Sequence, residues 1–328
     1  MDDMTDSSNT AFNRVEKFMK VKRKRVEILL SGGLGNQLFQ YFAGLYLANR
    51  LGVQLLVNGH MSQFSRTGHS SWIFELGLPA DNWRFSTKSK SVAYRYDVVR
   101  RSLRDLLASR IFPLSETQVS LLGYYRSTTI GRDEAFERLA QPILLEGYFQ
   151  TTRYVDECFE VAQNLHFTDN SSSPWFWEQA ENFKSGKNLV IHFRRGDYSS
   201  HKDSIGLLSS LYYQDAINLL KHRGATWSRV FVVTDDVVEA ENELKQLAQA
   251  DTAVWEFLEP PKGTSDSASL SLLTLANCMI IANSTFSWWG AKLSSADFIA
   301  RPSKWFIGME DPAELFPDSW IPVESRWV

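Results

Sequence analysis

From residue 187 to residue 282 the chain alternates strand-length apolar runs with helical periods, and that alternation leaves few folds open. A strand over 187–193 precedes a helical repeat around Leu211–His222. Then come the strand Val230–Val233, a helix over 237–249, the strand Val254–Leu258, a helix from about Ser269 and the strand Cys278–Ala282. Strands separated by helices need crossover connections, so they pair in parallel within one sheet. The first half repeats the device less regularly. Val26–Leu30 reads as a strand, Ser31-Gly32-Gly33-Leu34-Gly35-Asn36 as a tight turn, and Leu38, Tyr41, Phe42, Leu45 and Tyr46 recur at helical spacing up to Gly52. A second strand, Gln54–Val57, and a later strand-then-turn, Pro142–Gln150, follow. A helix is expected over Thr152–Asn164.

Such a pattern predicts an α/β protein made of two Rossmann-like domains with parallel sheets facing a central cleft. Asp169-Asn170-Ser171-Ser172-Ser173-Pro174 is the linker signal. It gives an N-terminal domain over 26–172 and a C-terminal domain over 173–328, preceded by a basic, disordered segment over 1–25. A helix carrying Arg95, Arg100, Arg101, Arg104 and Arg110 is expected in the irregular stretch 58–140.

Composition narrows the class. A net charge of −3 over 328 residues argues against a general nucleic-acid coat while leaving room for a local basic cleft. Cys158 and Cys278 lie far apart without metal-ligand spacing, as reduced core residues do in a cytoplasmic protein. No apolar run approaches a membrane span, and none follows the basic segment as it would in a signal peptide. Lys22, Arg23, Lys24 and Arg25 suit either contact with an anionic membrane surface or a solvated flank.

The chemistry concentrates where strands end. Leu189–Phe193 runs into Arg194-Arg195-Gly196-Asp197-Tyr198. Strand alternation puts His192 and Arg194 on one face, and Phe193 and Arg195 on the other. At the carboxyl end of a central parallel strand, arginine forks suit a pyrophosphate. A turn salt bridge between Arg195 and Asp197 is the plainer reading. Thr234-Asp235-Asp236 and Asn283-Ser284-Thr285-Phe286-Ser287 end two further strands, so all three sets meet on one sheet edge. Asp235 and Asp236 suit either a ligand or helix capping, and Ser284, Thr285 and Ser287 suit a cap or a phosphate at a helix start. The glycine turn lacks the spacing of a nicotinamide or ATP fingerprint.

Gly32–Tyr41, Gly147-Tyr148-Phe149-Gln150, His192–Tyr198, Thr234-Asp235-Asp236, Ser284–Ala291 and Phe316–Ile321, taken in this order, resemble the bacterial α-1,2-fucosyltransferases of glycosyltransferase family 11. The resemblance spans about residues 28–323. It implies a GT-B-like architecture, a GDP-β-L-fucose co-substrate with no cofactor or metal, and inverting transfer of fucose to O2 of a terminal β-galactoside. It further implies that Arg194 neutralises the leaving β-phosphate, with Arg195 assisting or bracing the loop and His192 approaching the nucleotide. The resemblance makes 26–172 the acceptor-side domain and 173–328 the GDP-fucose-binding domain; Gly33, Gly35 and Asn36 would close the cleft from the first domain, Asp235 would contact the donor, and Ser284, Thr285 and Ser287 would bind phosphate. Asp197 is a candidate base or a partner that orients the arginines. Ser269 stands where the family usually opens a helix with an acidic residue that contacts guanine, and Asp266 lies three residues earlier. Such an enzyme would work in the cytoplasm, at the inner membrane face, on lactose-like or lipid-linked glycans such as O-antigen intermediates. A metal-dependent glycosyltransferase using Asp235 and Asp236, and a non-catalytic nucleotide-sugar or glycan binder, are the rival readings.

Overall fold

The computed structural model describes residues 24–59, 73, 76–80, 82–84, 123–165, 174–196, 203–261 and 264–328. Asp197, Lys22, Arg23, the expected arginine-rich helix and most of the expected linker lie outside them.

The first sheet is wholly parallel, with strands β1 (Arg25–Leu29), β2 (Gln54–Asn58), β3 (Asn82–Arg84), β4 (Tyr124–Arg126) and β5 (Leu144–Glu146) in the order β3-β2-β1-β5-β4. Arg25, expected as the end of the basic flank, is already paired with Gln54 as the first residue of β1. Between β1 and β2 runs α1 (Leu34–Leu51), which ends where Gly52 takes the left-handed conformation and closes the last turn onto Ala48 and Asn49. Helices α2 (Glu134–Glu137), α3 (Thr152–Asp156) and α4 (Phe159–Gln163) complete this half. The helix expected over 152–164 is thus two short ones, separated where the Cys158 N–H bonds the Val155 carbonyl three residues back.

The second half follows the alternation read from the sequence: α5 (Pro174–Lys184), β6 (Asn188–Phe193), α6 (Ser210–His222), β7 (Arg229–Thr234), α7 (Val237–Ala250), β8 (Val254–Leu258), α8 (Asp266–Leu273), β9 (Cys278–Ile280), α9 (Thr285–Leu293), β10 (Phe298–Pro302) and β11 (Ile321–Val323). Its strands pair in parallel in the order β11-β10-β9-β6-β7-β8. Every residue of β6 is buried, as a central strand covered on both faces requires.

One apolar cluster runs through both halves, from Val26 and Leu38 to Trp288 and Trp320. Its centre is the crossing of α1 and α9, where Phe39 meets Trp288 at 4.5 Å and Phe42 stacks on Trp289 at 5.1 Å between ring centroids. The helices approach so closely that a Cβ on Gly35 would lie 2.5 Å from the Thr285 carbonyl carbon and 2.6 Å from the Phe286 nitrogen. Only glycine fits there. Trp289 Nε1 donates to the Gly35 carbonyl at 3.0 Å. Both tryptophans are therefore core.

Candidate active site

In the second sheet β6 lies beside β9, while the chain leaves β6 toward β7 and returns to β9 on the opposite side. At that switch point the loops diverge and leave a crevice beyond the carboxyl ends of the strands. A cleft of about 370 Å³ occupies it, with walls from β6, β7, the turn after β8, α8 and α9 and from the glycine loop and start of α1 in the first half.

Two helices begin at this cleft. α1 is entered through Gly33 and α9 through Ser284, both in extended backbone and neither with a side-chain hydrogen bond capping the first turn. The first-turn N–H groups of both helices give that wall positive potential. Gly33, Gly35, Asn36, Ser284 and Thr285 all line it. Asn36 is held by Gln150, whose Nε2 donates to its Oδ1 at 3.0 Å. Ser287 does not face the cleft: its hydroxyl donates to the Ala282 and Ser284 carbonyls and is fully buried. Even within the first turn, a hydroxyl that bonds back to the preceding carbonyls is not offered to a ligand at the helix start.

The two arginines separate as strand alternation requires. Arg194 lines the cleft, and its Nη1 lies 2.9 Å from Asp235 Oδ2. Asp235 also accepts from the Arg195 backbone N–H at 2.9 Å, so one carboxylate fixes both the strand end and the Arg194 guanidinium. Arg195 turns to the other face. It is 1 % exposed, lies 4.0 Å over the Phe193 ring and bonds Glu239, Glu243 and the Arg194 and Leu208 carbonyls. It braces the loop and has no face on the cleft. Asp236 caps α7, accepting from the Glu239 N–H. The two acids weighed as a metal pair thus have different employments, and no group of three or more His, Cys, Asp or Glu suited to a metal occurs among the described residues.

His192 lines the cleft from the same face as Arg194, 4 % exposed, with its ring 5.8 Å from Phe286. Burial, helped by the nearby Arg194 charge, pushes its pKa down to about 3. The imidazole is therefore neutral at physiological pH. In the unfolded chain it titrates near 6.5, so the unfolded state takes up a proton that the folded state refuses. Its contribution to stability is complete above about pH 6.5 and is lost as pH falls toward 3. His192→Gln is expected to flatten the acid limb of the melting temperature between about pH 4 and 6; thermal denaturation across that range measures it.

At the far end stand Glu259, Pro260, Asp266 and Ser269. α8 opens at Asp266, one turn earlier than the sequence suggests, capped by Ser265, whose hydroxyl oxygen accepts from the Ala268 N–H. Asp266 is then itself the acidic residue of the first turn, and Ser269 lies on the same face. Glu259 was not anticipated. It follows β8 as the other polar sets follow their strands, but Glu259-Pro260-Pro261 reads as an ordinary turn.

The model of glycosyl transferase family 11 matches residues 7–301. The chain belongs to that family. The family 11 chain is 27 % identical over 310 residues to the alpha-1,2-colitosyltransferase of Escherichia coli, a match covering 90 % of this chain and 98 % of the relative. It is 23 % identical to galactoside alpha-(1,2)-fucosyltransferase 1 of Lagothrix lagotricha, over 90 % of this chain and 73 % of the relative. A mutant of Arabidopsis thaliana FUT1, solved in complex with GDP, superposes with a TM-score of 0.50 at 12 % identity, covering 94 % of this chain and 76 % of that one. That likeness shows the fold, a GT-B-like pair of parallel-sheet domains. The family 11 chain is accordingly a glycosyltransferase.

Proposed function

We propose that the protein transfers L-fucose from GDP-β-L-fucose to O2 of a terminal β-galactoside, with inversion and without a metal ion. The observation that carries this reading is Arg194, fixed by Asp235 against a wall made of two helix starts. Breaking the sugar–phosphate bond loads negative charge onto the departing diphosphate, and preorganised donors at that place lower the barrier most. The guanidinium and the first-turn N–H groups of α1 and α9 supply positive charge there. Asp266 and Glu259 would accept from the N–H edge of guanine at the far end of the cleft. Inversion asks for a single displacement, so the acceptor hydroxyl approaches from the side opposite the diphosphate, with Asp197 as a candidate base. The relatives named for alpha-1,2 transfer support the linkage. A lipid-linked glycan such as an O-antigen intermediate is the proposed natural acceptor, with peripheral membrane contact through Lys22, Arg23, Lys24 and Arg25 in the cytoplasm. Among the described residues no helix is long and apolar enough to cross a membrane.

GDP release from GDP-fucose with lactose as acceptor tests the reading. Lactose-dependent release, unchanged by EDTA, is the expected result. Release abolished by EDTA and restored by a divalent cation would refute the metal-free mechanism, and binding without turnover would refute catalysis.

A further inference from the structure

The first sheet has a switch point of its own. β1 lies beside β5; the chain leaves β1 toward β2 and returns to β5 from the other side. Beyond the carboxyl ends of β1, β4 and β5 is a cavity of about 500 Å³, walled by Ser31, Arg126, Ser127, Thr129, Glu146 and Tyr148 among others. It stands to the first sheet as the donor cleft stands to the second. The glycine loop separates the two, with Ser31 on one cavity and Gly33 on the other. Gln150, two residues after Tyr148, holds Asn36 of the donor cleft.

The walls differ in chemistry. The donor cleft has an arginine and two helix starts. The second cavity sets one arginine against one carboxylate, Arg126 Nε standing 4.0 Å from Glu146 Oε1, and surrounds them with hydroxyls. Tyr124 donates its hydroxyl to Glu146 Oε2 and fixes the carboxylate. Such a balanced, hydroxyl-lined wall suits a neutral polyol and offers no surplus charge to a phosphate.

The corner carrying Tyr148 is built to present it. Phe149 is fully buried against Phe136, with ring centroids 4.9 Å apart, and holds a left-handed φ of 53° that a phenylalanine rarely adopts. A Cβ on Gly147 would lie 2.8 Å from Ser127 Cβ. Between these two fixed neighbours Tyr148 is turned outward, 48 % exposed, along the cavity. Local strain and a large exposed aromatic ring occur at the same corner.

We propose that this cavity receives the terminal sugar of the acceptor glycan, with Tyr148 as the platform for the apolar face of the sugar ring and Glu146, Arg126 and the hydroxyls as partners of its hydroxyl groups. The assignment rests on the glycosyl-transfer reading and adds to it the place and chemistry of acceptor recognition. A sugar here would lie across the glycine loop from the wall proposed to hold the leaving diphosphate.

Tyr148→Ala in the full-length protein is expected to raise the KM for lactose about tenfold, the scale of a lost aromatic contact. The KM for GDP-fucose and acceptor-free GDP-fucose hydrolysis stay as in the wild type, and Tyr148→Phe keeps the wild-type lactose KM. An unchanged lactose KM in Tyr148→Ala overturns the assignment. Saturation-transfer NMR with lactose in the presence of GDP separates this from a failure of the proposed activity. Lactose signals present in the wild type and lost in Tyr148→Ala support the site even if no fucose is transferred. Equal signals in both proteins, or none in the wild type, overturn it.

Discussion

Arg194→Ala lowers kcat by about 10²–10³, the usual cost of losing one fixed donor at a site of developing charge. The guanidinium reaches the cleft beside the starts of α1 and α9, and Asp235 holds it at 2.9 Å before any ligand arrives. Its orientation therefore needs no rearrangement during the reaction. With GDP-fucose as the proposed donor, negative charge would grow on the diphosphate oxygens as the sugar leaves, so the interaction would strengthen toward the transition state and the loss would fall on kcat more than on the KM of the donor. Arg194→Lys recovers only part of the rate, since an ammonium keeps the charge without the planar fork. Steady-state kinetics of GDP release for the three proteins measure all of this. A kcat within a few-fold of wild type in Arg194→Ala would mean that the leaving group is neutralised elsewhere.

The adjacent substitution has a different outcome. Arg195→Ala destabilises the fold by about 3 kcal/mol, toward the lower end of what breaking a buried charge pair costs. The side chain is almost wholly enclosed; it bonds Glu243 Oε2 at 2.6 Å, Glu239 Oε1 at 3.1 Å and the Leu208 and Arg194 carbonyls at 3.0 Å each. Removing it leaves two carboxylates facing each other and two carbonyls without that donor. Burial already raises the Glu239 carboxyl above its ordinary range with Arg195 in place. Solvent keeps the cost at that lower end, because 42 % and 28 % of the two glutamate side chains are exposed. Denaturant unfolding should show a lower midpoint with an unchanged slope. Activity should decline only with the folded fraction.

The contrast between these neighbours was legible in the sequence, because a two-residue period decides which side of a strand each side chain takes. The same physics made β6 to β9 legible: long apolar runs separated by helices admit a parallel sheet and little else. Details governed by tertiary contact were not. Ser287 looks like a phosphate ligand beside Ser284 and Thr285, yet its hydroxyl bonds the carbonyls that precede it. The first turn of α8 was read too late because Ser265 and Asp266 resemble loop residues until the capping bond to Ala268 is seen. Glu259 gave no signal, since nothing local distinguishes a cleft carboxylate from a turn residue. The corner at Tyr148 was visible only as part of a motif; its purpose depends on the left-handed Phe149, which no spacing rule foretells.

The seam between the halves has a consequence for how such an enzyme diversifies. At Gly35 the backbone of α1 touches the backbone of α9 with no room for a methyl group, and Trp289 is bonded across the contact. The two halves are therefore not interchangeable parts. With the acceptor bound beyond the first sheet as proposed, a new acceptor preference has to be drawn in the loops there, while the crossing that joins the two halves admits almost no change of size.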